Sequence, residues 1–368
     1  MKKAWRGIGI GVVGLAWLSA CGGSSDSDGD GNSGVSIDEI PALYADAVCD
    51  ASESCYGAVL DVFLGGESCR KTYETALGDE LPRLKQSIEN GKVIYKGTKA
   101  DACFAAIRAR GCNLEGEPPE CTAALDGTVD TGGDCELDAE CKGSDAHCKV
   151  QGQCPGKCGP KELAGADCDG DSACAKGLAC SKDTKKCYAP AALGQACGGG
   201  GTAPDCVPGA FCLGSDDDAK KTGTCKTFAE AFAGKSGDAC FFDGKPACTA
   251  DLRCIVQSVD TTTGKLTTSC GGTFPSGGAC KLAVPDACPI SEYCKVPANA
   301  LDGTCTPRPK AGEPCATLLD DSLCAPDTRC EDGTCRPRQK LGGSCKTDDV
   351  CYSGHCQNGG CASAGSCS

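Results

Sequence analysis

The chain has 368 residues, of which 37 are cysteine and 52 are glycine, and aromatic residues make up only 5%. Cysteine at this level is typical of a disulfide scaffold and argues against a domain held together by a large apolar core. The formal charge of −14 disfavours nucleic acid and anionic lipid headgroups as partners, because both would repel an acidic surface.

The first 20 residues predict a signal peptide, with basic side chains followed by an apolar run over residues 7–17 that is too short to span a bilayer. Residues 18–21, Leu-Ser-Ala-Cys, resemble the bacterial lipobox, in which small residues precede a cysteine. The resemblance implies cleavage before Cys21 and acylation of Cys21 with palmitate-like chains, so that the membrane is a partner through the lipid anchor. Gly22 favours the outer membrane, because an aspartate there would resemble an inner-membrane retention signal.

Residues 21–35 predict a flexible tether, because after the cysteine they consist almost entirely of glycine, serine and aspartate. Asp26, Asp28 and Asp30 imitate the start of an EF-hand loop. The position that requires a bidentate glutamate is Ile37, however. We therefore expect no calcium site in the tether.

Residues 36–125 predict an α-helical domain that contains six cysteines. Ser36 opens a capping-box pattern at the start of the first helix. Leucine and isoleucine recur at helical spacing over residues 77–88, where Pro82 is expected to split or kink the helix. Residues 98–110 predict another helix. The cysteine pairing within this domain stays open, since spacing alone does not decide it.

Residues 132–368 predict an array of about seven short β/turn repeats, each a Gly-x-x-Cys followed by three further cysteines. Within a repeat we favour disulfides from the first cysteine to the third and from the second to the fourth, although two other pairings are possible. Cys158 and Cys367 are left over as additional cysteines without an assigned role. The repeats begin at Gly132, Gly165, Gly194, Gly237, Gly277, Gly312 and Gly342.

The spacing Gly-x-x-Cys-x5-Cys-x-x-Gly-x-x-Cys, clearest in residues 165–187 and 342–361, resembles the EB-module and Dickkopf N-terminal cysteine-rich families. The resemblance implies extracellular, non-enzymatic modules that act through protein–protein contacts. The whole layout also resembles cysteine-rich lipoproteins of Gram-negative bacteria. Dickkopf domains contain adjacent cysteine pairs that this chain lacks, so no receptor specificity is carried over.

No catalytic residue, cofactor or metal site is predicted. The chain contains no Cys-x-x-Cys, which removes the thioredoxin redox motif and the zinc-ribbon spacing, and it lacks the common hydrolase, metalloprotease and phosphate-binding motifs. His147 and His355 each precede the third cysteine of a repeat, which favours a structural role. Residues 216–218, three aspartates, predict a solvated acidic loop.

The sequence thus predicts a non-catalytic, lipid-anchored envelope protein that acts as a surface-exposed or periplasmic binding or structural module, with a protein or glycan partner. One alternative is a protease inhibitor, in which Lys186, Arg253 or Arg329 would enter a trypsin-like pocket. Another is a metal-storing thiol protein. That alternative requires many free thiols, whereas the disulfide scaffold predicts essentially none.

Overall fold

The structure is a computed structural model, and the predicted signal peptide, Cys21 and almost all of the predicted tether lie outside the residues it describes. No described helix is long and apolar enough to cross a membrane. The described residues are 34–362, except for 57–59, 61–63, 65–67, 111–117, 151–153, 169, 182–183, 217–218, 241–244, 250, 261, 263–265, 285, 298–299 and 316–323.

The N-terminal part is helical, as predicted, and begins with the expected capping box. The Ser36 hydroxyl accepts the Asp38 N–H at 3.3 Å, and the Glu39 carboxylate accepts the Ser36 N–H at 2.9 Å. A 3-10 turn over Ile37–Glu39 leads into α1 (Ile40–Tyr56). The structure further describes the bounds of helices α2 (Cys69–Glu89) and α3 (Gly97–Ala109), and of the single turns α4 (Pro119–Thr122) and α5 (Phe228–Ala231).

Helix α2 is continuous through Pro82, so of the two expected effects of this proline, a split or a kink, the split is wrong. The proline ring would meet the carbonyl four residues earlier, and that residue is Gly78, which has the greatest backbone freedom to adjust. Tyr73, Leu77 and Leu84 are buried on α2 to either side of the proline. Their burial stabilises the helix against the cost of the proline.

Glu80 of α2 is buried with 3% of its surface exposed, and its Oε1 atom has no hydrogen-bond partner among the described residues. Its Oε2 atom lies 3.4 Å from the Arg83 guanidinium. Burial raises the pKa of Glu80 and the neighbouring Asp79 raises it further, while Arg83 lowers it. Because the pKa is higher in the folded than in the unfolded chain, protonation of Glu80 stabilises the fold.

We expect Glu80→Gln to stabilise the protein at neutral pH. In the native protein, the stabilising contribution of Glu80 is present below the unfolded pKa and is lost as the pH rises through the folded pKa. Glutamine keeps the shape without the charge, so this loss disappears. Melting temperatures from pH 4 to pH 8 test the expectation, with Glu74→Gln on the exposed side of α2 as control. A Glu80→Gln curve parallel to the native curve would refute it.

Two short strands close the helical head (residues 34–127). Strands β1 (Val93–Tyr95) and β2 (Leu125–Gly127) pair antiparallel, with Ile94 opposite Asp126. The core beside them contains Leu84, Val93 and Leu125 together with Leu137 and Ala139, which follow the head in sequence. The helical head and the first cysteine-rich segment therefore share one apolar core.

Beyond the head, the fold consists of small antiparallel strand pairs and three-stranded sheets. The first of them contains residues 134–135, 146–149 and 156–160, with the last of these strands in the middle. The strands are β3 (Asp134–Cys135), β4 (Ala146–Lys149), β5 (Gly156–Pro160), β6 (Ala179–Cys180), β7 (Cys187–Tyr188), β8 (Ala196–Cys197), β9 (Phe211–Leu213), β10 (Gly223–Lys226), β11 (Arg253–Val259), β12 (Leu266–Gly271), β13 (Ala279–Lys281), β14 (Ala283–Val284), β15 (Glu292–Lys295), β16 (Asp302–Pro307), β17 (Thr328–Glu331), β18 (Thr334–Pro337), β19 (Cys356–Gln357) and β20 (Gly360–Cys361).

Every described cysteine is disulfide-bonded, 32 of them in sixteen bonds between described cysteines. Two bonds belong to the helical head, Cys49–Cys69 and Cys103–Cys121. The others come in interleaved pairs, each of which frames one segment that we call a cystine module. The pairs are 135–148 with 141–158, 168–180 with 174–187, 197–212 with 206–225, 240–254 with 248–270, 280–294 with 288–305, 315–330 with 324–335, and 345–356 with 351–361.

The interleaved pairs confirm the first-to-third and second-to-fourth pattern, with a correction in the first module (residues 129–160). There the fourth cysteine is Cys158, which was expected to be additional, and the additional cysteine is Cys154. The sheet register explains the choice, because Cys158 on β5 lies opposite Cys148 on β4. The fourth cysteine faces the third in the same way elsewhere, as in Cys212 opposite Cys225 and Cys294 opposite Cys305.

The described residues divide into two compact units. One contains Cys55–Ser68 and Ala191–Arg338, and the other contains residues 34–54, Cys69–Pro190 and residues 339–362. The last module (residues 339–361) thus belongs to the same unit as the first module and most of the helical head. Its connection is direct, since the Leu341 N–H is donated to Asp79 of α2 at 3.2 Å.

Candidate functional site

The glycine that opens each module fixes a turn that only glycine adopts readily. Gly165 has a φ of +86°, and its N–H is donated to the carbonyl of Cys187 at 2.8 Å. Cys187 in turn donates its N–H to the Ala166 carbonyl at 2.9 Å. The turn therefore attaches the start of the module to its last cysteine. The equivalent glycines also have positive φ: Gly132, Gly194, Gly237, Gly277, Gly312 and Gly342.

The interior of a module is made largely of sulfur. In the module between Cys240 and Cys270, one buried cluster consists of four cysteines with Leu252 packed against them, and Ile255 and Val256 of β11 are the large aliphatic residues buried beside it. In the last module, Val350 and Tyr352 are the large buried residues besides the cysteines. Cystines therefore fill the space that leucine and isoleucine fill in an ordinary core, as expected where apolar side chains are scarce.

An aspartate fixes the backbone at the third cysteine of several modules. Asp138 accepts the Cys148 N–H at 2.7 Å, and Asp348 accepts the Cys356 N–H at 2.7 Å. Asp286 accepts the N–H groups of both Cys288 and Cys294, each at 2.9 Å. Sequence analysis missed this role, although Asp138 and Asp348 both lie three residues before the second cysteine.

We expect Asp138→Ala to destabilise the first module by about 1–3 kcal/mol, because the partly buried Cys148 N–H loses its charged acceptor. The effect is local, so hydrogen exchange of the Cys148 amide is the measurement. Asp130→Ala serves as control, since the Asp130 side chain is exposed and its carboxylate lies 3.3 Å from the Lys142 ammonium at the surface. Equal exchange in the two variants would show that the Asp138 bond contributes nothing.

Groups of three cysteine Sγ atoms lie within 4.8 Å of one another, for example Cys135, Cys141 and Cys158. Metal binding by cysteine requires thiolates. These sulfur atoms are instead joined in disulfides, Cys135 to Cys148 and Cys141 to Cys158. The clusters are the crossing points of interleaved bonds and do not offer metal ligands.

The two histidines have different surroundings, although each directly precedes the third cysteine of its module. His147 is buried, with its Nε2 atom 3.8 Å from the Glu162 carboxylate, and that carboxylate also lies 2.6 Å from the Lys149 ammonium. The backbone of Glu162 forms an isolated β-bridge with the backbone of Cys174 in the following module. His147 therefore belongs to the junction of two consecutive modules. His355 is half-buried in the last module.

The basic residues considered for an inhibitory loop are all held by neighbouring groups. The Lys186 ammonium lies 2.7 Å from Asp167. Arg253 is half-buried on β11, where burial lowers the pKa of its guanidinium, and it donates to the Leu252 carbonyl at 3.0 Å. Arg329 donates to the Thr328 carbonyl at 2.9 Å. Each is thus engaged by its own module.

The acidic loop is described only at Asp216, whose carboxylate accepts the Ala219 N–H at 3.0 Å. Asp217 and Asp218 lie outside the described residues. The aspartates of the EF-hand-like stretch also lie outside them, and Ile37 forms part of the 3-10 turn before α1.

Four aromatic rings form a cluster in the unit that contains Ala191–Arg338. Phe228 and Phe232 of the α5 region stack with centroids 4.6 Å apart, and Phe211 packs edge-on against Phe232 at 5.3 Å. Tyr56 contacts Phe228 at 5.1 Å and is buried. The three phenylalanines are half-buried, so the cluster works mainly as a small core.

Exposed large apolar side chains occur singly along the chain. Leu163 is 73% exposed, Leu193 is 53% exposed and Ile290 is 46% exposed. Scattered exposure of this kind is normal for a folded surface. The strongest organised feature of the described residues is therefore the repeated cystine framework. The chain matches no family model, and neither the curated proteins nor the solved structures compared with it give a match.

Proposed function

We propose that the chain is a non-catalytic, lipid-anchored protein of the bacterial outer membrane, whose array of about seven cystine modules binds a protein or glycan or serves as a structural element. The observation that carries the proposal is the oxidation of every described cysteine. Cystine cores are typical of oxidising compartments, which supports a location outside the cytoplasm. The buried residues of the modules are mainly cystines and small apolar side chains, which do not supply the positioned acid and base groups that catalysis uses.

The lipid anchor supports the placement at the membrane. Cys21 follows the Leu-Ser-Ala motif, and acylation of its thiol and of the new amino group attaches several chains to one residue. Several chains give stable attachment, where one chain binds only reversibly. The tether over residues 21–35 then separates the modules from the lipid surface.

The test is mass spectrometry of the mature protein together with the Cys21→Ser variant. We expect the native chain to begin at Cys21 with acyl chains attached, and to fractionate with the outer membrane. The Cys21→Ser variant is expected to lose the acyl mass and to leave the membrane fraction. A native chain that begins elsewhere without acyl groups would contradict the anchor.

The resemblance to EB-module and Dickkopf-like domains supports a role in protein–protein contacts. Cross-linking of the membrane-anchored native protein in intact cells, followed by identification of the linked species, tests this half of the proposal. Recovery of the same envelope protein or glycan from native cells, and its loss when the modules are reduced beforehand, is the expected result. Identical cross-links from the reduced protein would exclude a role for the cystine framework.

A further inference from the structure

The disulfides of the modules differ in how far solvent reaches them. In most of the interleaved bonds, at least one of the two cysteines is buried. Two interleaved bonds between described cysteines differ, since both cysteines of Cys168–Cys180 and both cysteines of Cys315–Cys330 are half-buried. Attack by a thiol on a disulfide depends on access to its sulfur atoms. Access therefore favours these two bonds for exchange with a thiol from solution.

Lys185 lies beside both ends of the Cys168–Cys180 bond. Its carbonyl accepts the Cys168 N–H at 2.9 Å. Its own N–H is donated at 2.8 Å to the carbonyl of Ser181, the residue that follows Cys180. The Lys185 side chain is exposed. This cationic side chain therefore starts from a point next to the accessible bond.

The backbone of Lys185 has a conformation that glycine normally supplies, with a φ of +52°. In the modules that begin with Cys315 and Cys345, the N–H of the first cysteine is donated to the carbonyl of a glycine, Gly333 or Gly359. These glycines have φ values of +75° and +81°. A non-glycine residue is strained in this region, and such strain is typical of functional positions. Lysine where glycine would fit better points to a role for its side chain.

A cation beside an accessible disulfide promotes exchange in two ways. It attracts the thiolate, which is the form of a thiol that attacks, and it stabilises the thiolate that leaves. The neighbouring carboxylate of Asp167 is already paired with the Lys186 ammonium at 2.7 Å. At the other accessible bond, the position equivalent to Lys185 is Gly333, which brings no charge. Charge and access together therefore favour the bond beside Lys185.

We propose that Cys168–Cys180 is a thiol-exchange site that takes up a low-molecular-weight, anionic thiol as a mixed disulfide. The thiolate attacks one sulfur of the bond and forms a new S–S bond with it, while the bond between the two cysteines breaks. The other cysteine leaves as a thiolate and takes up a proton. One disulfide and one thiol thus give one mixed disulfide and one thiol, without net oxidation. The Lys185 ammonium attracts the incoming anion.

Exchange stops at this bond, because the second bond of the module is buried. Cys174 and Cys187 are only 3% and 2% exposed. Cys187 also takes part in the hydrogen bonds that close the module, to the Gly165 N–H and to the Ala166 carbonyl. The Cys174–Cys187 bond therefore keeps the module closed while the accessible bond is exchanged.

Peptide mapping after exposure to reduced glutathione locates the exchange. The native protein is treated with glutathione, quenched with acid, alkylated with N-ethylmaleimide and digested with trypsin without reduction. Cleavage after Lys176 and Lys182 isolates residues 177–182, which contain Cys180 as the one cysteine. We expect these residues to be released from residues 162–176 with glutathione or maleimide attached. Adducts on the other cysteines are measured in the same digest.

The order in which the bonds open decides whether the site exists. We expect Cys168–Cys180 to open about tenfold faster than the interleaved bonds that contain a buried cysteine, because access limits the attack. It is also expected to open before Cys315–Cys330, and Cys174–Cys187 is expected to stay closed. If any other interleaved bond opens at the same rate or earlier, the proposed site is overturned.

The Lys185→Gly variant tests the role of the charge, because glycine adopts positive φ without strain. We expect exchange with glutathione to slow about threefold at low ionic strength. Cysteamine, a cationic thiol, is expected to react at least as fast as with the native protein. Lys220→Gly is the matched control, since Lys220 is exposed and also has a φ of +52° but belongs to another module.

The ratio of the glutathione rate to the cysteamine rate separates charge from flexibility, since a looser turn would change both rates alike. A lower ratio in Lys185→Gly and an unchanged ratio in Lys220→Gly are the expected results. An unchanged ratio in Lys185→Gly would show that this lysine does not attract the thiol, and the anionic class of the thiol would be overturned.

Discussion

Replacing Cys174 and Cys187 by alanine is expected to unfold their module while the helical head stays folded. The disulfide closes a loop with a sequence separation of 13 residues, which contributes roughly 3 kcal/mol in the chain-entropy model. Besides the two cysteines, Ala173 is the buried residue among those of this segment whose burial is described, and Leu178 is only half-buried. The remaining Cys168–Cys180 bond therefore has almost no apolar packing to assist it.

Hydrogen exchange of the Cys187 and Gly165 amides measures the loss, because both take part in the hydrogen bonds that close the module. We expect their exchange to accelerate about a hundredfold or more, the effect of roughly 3 kcal/mol. The matched control removes Cys49–Cys69 between α1 and α2. There Arg70 still joins the helices through Asp46 and Glu53, at 2.9 and 2.8 Å.

Retained slow exchange at Cys187 in the double variant would show that turns and neighbouring modules hold the segment without the bond. Loss of helical circular dichroism in the Cys49→Ala, Cys69→Ala control would show that the head does not stay folded without its disulfide. In that case the head too would depend on sulfur more than on its apolar side chains.

Glu140→Ala is expected to give the second large effect, a loss of about 3–5 kcal/mol at the junction of the helical head and the first module. The Glu140 side chain is 2% exposed and accepts hydrogen bonds from the Ser87 hydroxyl at 2.5 Å and the Glu136 N–H at 2.8 Å. Its carboxylate also lies 3.2 Å from the Lys92 ammonium. Alanine leaves a partly buried cation and two polar groups without their acceptor.

The measurement is amide exchange on β1 and β2, which lie beside this network, together with chemical denaturation. Glu140→Gln separates charge from shape, and it is expected to lose less than the alanine variant. Ser87→Ala completes a double-mutant cycle, in which a coupling energy above about 0.5 kcal/mol is expected. Additive effects of Ser87→Ala and Glu140→Ala would show that the short contact carries no energy.

Much of the module framework follows from the sequence, because it depends on local spacing. The turn glycine with positive φ is recognised by its place three residues before the first cysteine. The cystine interior is recognised because few large apolar residues lie between the cysteines. The strand register that places the third cysteine opposite the fourth on a hairpin is local as well. The first module was assigned wrongly because Cys154 and Cys158 lie too close in sequence for spacing to choose, and the register of β4 and β5 decides.

The sequence was less informative wherever distant residues meet. The β1–β2 pair joins segments about thirty residues apart, and neither strand has a long alternating pattern. Burial of Glu80 and Glu140 depends on which elements pack over them, and a charged side chain gives no local sign of burial in the sequence. The contact of Asp79 with Leu341 spans 262 residues, and no local pattern marks it.

The core shared by the helical head and the first module decides where the chain can be divided. A fragment that begins at residue 132 would expose Leu137 and Ala139, which pack against Leu84, Val93 and Leu125 in the whole protein. It would also lose the Val129 bridge to Cys141. Fragments of this protein should therefore keep residues 34–160 together. A cut within this range would expose apolar surface on both fragments and favour their aggregation.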